Sequence, residues 1–146
     1  MSKIIVIVAF IAAVVSAAIF ASLFSSHIVY SQLIDLGVQI PFSTRISSLV
    51  ADLGILGAFI PLMGVAFLLG FLVAKFVVAK TGGNKVVWYA LAGASSWLVA
   101  IFILEAVFGL MPIGGARSIV GLMLQSLAGL IGGVIFVKTL KIGEQT

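Results

Sequence analysis

The chain has 146 residues, of which 63% are hydrophobic and 8% charged, with a mean hydropathy of +1.40. A soluble domain holds roughly 45–50% apolar residues, so this composition excludes a water-soluble fold. Cysteine is absent, which removes disulfides, thiolate metal sites and thiol nucleophiles. The formal charge of +4 comes from lysines at the ends of apolar runs, where they orient a membrane protein rather than bind nucleic acid.

At about 20 apolar residues per crossing, a chain of this length has room for four or five passes, and four are legible. The first run, 4–24, follows Lys3 and has the charged start of a signal peptide, with Ser16, Ala17 and Ala18 small enough for cleavage. A signal's apolar region is about 7–15 residues, however, and this run is of spanning length, so it reads as an uncleaved anchor. The segment 25–52 is too long for a turn and too apolar for a disordered linker, with Ile28, Val29, Leu33, Ile34 and Leu36 ahead of Gly37. It is expected to prolong helix one to a C-cap at Gly37, turn at Pro41 and start a new helix with Ser43 as N-cap. That helix carries Arg45 and Asp52 into the second crossing, 53–79. The result is a short outer, periplasmic helical hairpin extending helices one and two. An apolar hairpin outside the bilayer needs a cover, and another subunit, the lipid head groups or the other outer loop would each serve.

Pro61 falls early in the second crossing and is expected to kink it. The turn from Lys80 to Lys85 contains Gly82 and Gly83, but it lacks the GxxxxGK[ST] frame of a phosphate-binding loop. It reads as a helix C-cap followed by a tight reversal, with Trp88 and Tyr89 at the level of an interfacial aromatic belt. The third crossing, 86–108, offers low-profile surfaces at Ala90 and Ala94 and at Ala92 and Ser96. A short loop with Pro112 and several glycines leads to Arg117, expected to open helix four, whose crossing is 119–137. In that helix Arg117, Gly121, Gln125, Gly129 and Gly133 recur every four residues as one ridge. Gly121, Gly129 and Gly133 let another helix approach closely, as an internal packing face or an oligomer seam. Pro41 before Arg45 and Pro112 before Arg117 hint at a two-helix repeat.

Lys3, Lys75, Lys80, Lys85, Lys138 and Lys141 fall on one side of a four-pass arrangement, and Arg45 and Arg117 on the other. By the positive-inside rule both termini and the Lys80 to Lys85 turn are cytoplasmic. The fold class is therefore an all-α integral membrane protein, a four-transmembrane-helix bundle forming one membrane domain over 1–146, in a bacterial-type inner membrane.

Charged groups at membrane depth cost about 2.5–3.5 kcal/mol on insertion scales, so those present need a partner or a purpose. Glu105 near the end of helix three and Arg117 beyond a tight loop are expected at similar depth, as an ion pair. Asp52 lies seven residues after Arg45, on nearly the same helix face, and the four can close the outer end as one network. Gln125 adds a polar step two turns inside helix four. This network is either a clamp on helix register or a site for an ion or anionic ligand. No enzyme constellation emerges: His27 is the sole histidine, which leaves no metal or haem ligand set, and no cofactor is expected. The chain also lacks the cysteine pairs of quinone-coupled redox proteins and the helix-one glutamate of small multidrug exporters.

The expected role is an accessory, scaffolding or assembly subunit of a larger membrane complex, with the bilayer and a protein partner or further copies of the chain as its contacts. The alternative is a homo-oligomeric transporter or channel using the outer charges.

Overall fold

The computed structural model describes residues 3–37, 39, 41–109 and 113–145; the side chains at 45, 48–58 and 144 lie outside that description. Its regular structure is helical throughout: α1 (Lys3–Asp35), α2 (Phe42–Thr81), α3 (Lys85–Phe108), a 3-10 turn (Gly114–Ala116) and α4 (Ile119–Glu144). Each of the four α-helices contains a stretch long and apolar enough to cross a membrane. A helix meets its own backbone hydrogen-bonding needs, the condition that hydrocarbon surroundings impose on a single spanning segment.

Local chemistry sets the helix ends. After α1, Gly37 takes φ +82° and its N–H donates to the Ile34 carbonyl at 2.9 Å. Pro41 occupies the N-cap position of α2 with φ −59° and ψ 149°, and makes no side-chain capping bond. The expected N-cap, Ser43, is thus corrected: the fixed φ of proline and its extended ψ let the helix start at Phe42, which puts Ser43 inside the first turn. Pro61 lies exposed within α2, and the helix runs through it from Phe42 to Thr81.

Between α2 and α3, Gly82 and Gly83 both take positive φ, and the Gly82 N–H donates to the Val78 carbonyl. Asn84 then caps α3, its side-chain oxygen accepting from the Val86 N–H at 2.9 Å. Gly109 ends α3 in the left-handed region. Ser118 caps α4, its Oγ accepting from the Gly121 N–H at 3.1 Å. Arg117 therefore does not open helix four; it stands one residue before the cap, because a serine side chain satisfies an N-terminal amide and a guanidinium has no acceptor. Arg45, by contrast, lies inside the first turn of α2, so the two arginines hold different positions relative to their helices; Pro112, the other half of the expected repeat, is outside the described residues.

The helices form a four-cornered bundle in which α4 packs most extensively on α1 and α3, while α2 closes the remaining side against α3 and α1. Close approach to α1 follows from a stripe of buried alanines, Ala9, Ala13, Ala17 and Ala21, spaced one every four residues. The centre is filled rather than hollow: Trp97, Phe67, Met63 and Ile101 are fully buried. Toward the α2–α3 turn, Phe71 stacks on Phe136 at 4.6 Å between ring centroids and meets Tyr89 and Phe10 edge-on. The perimeter carries the large apolar side chains, among them Leu69, Phe76, Val99 and Met123.

Candidate functional site

Among the described residues Gln125 is the most deeply buried polar side chain, 1% exposed about two turns into α4. Its Oε1 accepts from the Trp97 indole Nε1–H on α3 at 3.0 Å, and its Nε2 donates to the Ala21 carbonyl on α1 at 3.0 Å. One side chain thereby joins three helices, and it does so through neutral partners. A helical carbonyl has a second lone pair, so Ala21 accepts this bond without leaving its own helix. Spacing alone places Gln125 with the outer charges; its partners in the structure are an indole and a backbone oxygen, both neutral.

The glycine ridge faces inward. A Cβ at Gly129 would strike the Gly93 carbonyl, and one at Gly133 would strike the Tyr89 carbonyl, so these two glycines put the backbones of α3 and α4 in direct contact. At such distances Cα–H donors face carbonyl oxygens of the other helix, a weak but recurring attraction. Gly121 faces the Gly115 carbonyl where the 3-10 turn folds back on α4. That turn is itself fastened to α1: the Gly115 N–H donates to Ser25 Oγ at 3.1 Å, with the Gly115 Cα pressed against the Ser25 backbone.

Of the four charged residues expected to form a network, Glu105 is half-buried one turn before the end of α3, where its carbonyl accepts the Gly109 N–H. Arg117 is exposed directly after the 3-10 turn and is not without a partner. Arg45 and Asp52 lie in α2, and their side chains fall outside the described residues. His27 is exposed on α1, with Ser31 one turn on donating to its carbonyl. Among the described residues, no three His, Asp or Glu side chains come together as a metal site requires.

Trp97, Ala21, Ser25 and Gly93 were not singled out from the sequence, although they make the principal interhelical contacts. The alanine spacing on α1 was a readable signal for one of them. The rest depend on which residue of a neighbouring helix stands opposite, and no spacing within one helix reports that.

At the end where α1 turns into α2 the molecule is uneven. The Ser25 contact, and that of Val29 with Gly114, put the 3-10 turn at the level of Ser25 to Val29 on α1. Tyr30 to Asp35 of α1 and the start of α2 run on past it. Leu36 and Phe42 flank the turn at this end and are 78% and 76% exposed.

No family model, curated protein or solved structure matches the chain. Function therefore has to be read from the arrangement itself.

Proposed function

We propose that this is a multi-pass protein of a bacterial-type inner membrane, with both termini cytoplasmic, that acts as an accessory or assembly subunit of a membrane complex through its outer α1–α2 hairpin. The observation that carries this reading is the overhang: two helices continue beyond the level of the 3-10 turn and present Ile34, Leu36, Phe42 and Ile46 as exposed apolar side chains. Apolar surface rising clear of a packed bundle marks a contact face. The filled centre supports the same reading, since among the described residues Trp97, Met63 and Phe67 fill the middle of the bundle with apolar bulk and Gln125 is bonded on both sides. The lysines at the α2–α3 turn and the two helix termini near it supply the orientation.

Gentle extraction of a C-terminally tagged chain, followed by native mass determination, tests the assignment. A foreign protein in fixed stoichiometry is expected. The double substitution Leu36→Asn and Phe42→Asn should reduce its recovery at least tenfold while leaving thermal unfolding of the bundle in place. A homogeneous homo-oligomer with no partner would overturn the assignment and favour transport by shared subunits.

A further inference from the structure

Between α2 and α3 an open groove of about 550 Å³ runs along the outside of the bundle. Its floor is made of small side chains, Ala66, Gly70 and Ala74 on one helix and Ala92, Ser95 and Ser96 on the other. The two helices meet closely where a Cβ on Gly70 would lie 2.8 Å from Ser96. Larger residues such as Leu69 and Val99 wall it on the outer side. Both serine hydroxyls are turned onto their own helix, Ser95 to the Ala92 carbonyl at 3.3 Å and Ser96 to the Gly93 carbonyl at 3.4 Å. Both serines along the floor are thereby satisfied within their own helix, and the rest of the lining is largely hydrocarbon. From Leu62 to Val77 it extends roughly 22 Å at 1.5 Å per residue, longer than the roughly 15 Å of one leaflet's hydrocarbon.

Its end near the α2–α3 turn is cationic. Lys80 lies three residues after Val77 and seven after Val73, and Lys85 three before Trp88 and seven before Ala92, so both lysines continue the faces that line the groove. Both are exposed, and the Lys80 ammonium lies over the Phe76 ring, 4.7 Å from its centroid. The Trp88 indole nitrogen sits against Gly83 in the turn, at the level where amphipathic aromatic side chains meet head groups.

We propose that this groove binds an anionic phospholipid, with an acyl chain along the α2–α3 floor and the phosphate between Lys80 and Lys85. This rests on the membrane placement of the helices and not on the hairpin's partner. Charge decides the occupant. A second copy docked by the same face, with the same orientation in the membrane, would set Lys80 and Lys85 against their own equivalents, four cations at one level. An anionic head group meets the same two cations with opposite charge.

The full chain in detergent, equilibrated with equal amounts of phosphatidylglycerol and phosphatidylcholine of identical acyl chains and then weighed by native mass spectrometry, tests this. Retention of one phosphatidylglycerol with about a tenfold preference is expected. K80Q/K85Q should abolish the preference, and K138Q/K141Q, exposed at the end of α4, should keep it. S95F, at an exposed position on the groove, should lower retention of both lipids about tenfold. Equal retention of the two lipids by the unaltered chain, or an equal loss in the two lysine pairs, would overturn the proposal. So would disulfide cross-linking of S95C between copies in lipid-diluted vesicles, a clean readout because the chain has no cysteine of its own.

Discussion

Replacing Gln125 with leucine removes two interhelical hydrogen bonds and strands the Trp97 indole N–H in an apolar interior. Interhelical bonds within membranes average about 0.6 kcal/mol, and a buried donor left unmet costs about 1–3 kcal/mol. Q125L should therefore lower unfolding free energy in micelles by about 1–3 kcal/mol. Because part of that loss is the stranded indole, W97F in the Q125L background should cost less than W97F alone, and a denaturation series across the four proteins reads this directly. Strict additivity would mean that the bond contributes nothing. The residue scale is also where sequence reading was least informative. Gln125 was visible as a polar group inside an apolar helix, but its partners lie 28 and 104 residues away along the chain, and only packing brings them together.

For the helices as elements, spacing was more telling. The four-residue rhythm of Gly129 and Gly133 announced a surface for close approach, and the structure lays it on α3 at Gly93 and Tyr89. Glycines elsewhere are not equivalent. A Cβ at Gly64 meets nothing within 4 Å, whereas one at Gly133 meets the backbone of α3. G64A should be neutral or stabilising by up to about 1 kcal/mol, since alanine is the better helix former. G133L should destabilise by about 3 kcal/mol, because backbone cannot yield as a side chain does and the helices must separate. Thermal unfolding of the two variants side by side checks the contrast; similar melting would mean that α3 and α4 are not in backbone contact. The helix ends also follow local rules, with one instructive exception. Asn84 and Ser118 cap as their side chains allow, yet at α2 the proline ahead of Ser43 takes the boundary position, since its fixed φ starts the helix before the hydroxyl is reached.

For the whole molecule, the proposed orientation is the assignment on which the hairpin's place depends. A reporter enzyme fused after Gly82 should be active in the cytoplasm, and one inserted between Gly37 and Pro41 should be active on the opposite side. The reverse pattern would place the overhang in the cytoplasm and withdraw the proposed outer contact face. The lysine distribution makes the forecast firm: six lysines against two arginines, counted over short connections, is the kind of asymmetry that sets topology. The same scale explains the outward-facing bulk. Small residues line the closest helix contacts, of α1 and α3 with α4, while many large apolar side chains stay on the perimeter, because lipid provides no drive to bury leucine and helices associate by close fit instead.

Composition and hydropathy by themselves determined that the chain is helical and has four spanning-length segments, since hydrocarbon admits few backbone solutions and each is written in a continuous local run. They also exposed the small-residue faces and most helix boundaries, which depend on neighbours a few positions away. Tertiary structure alone decided that Gln125 ties α1 to α3 and that Gly115 seats on Ser25. It alone decided that α2 and α3 leave an open groove along the contact of Gly70 with Ser96. Each of these depends on how helices are rotated and staggered against one another, a property of the assembled bundle that no single segment encodes.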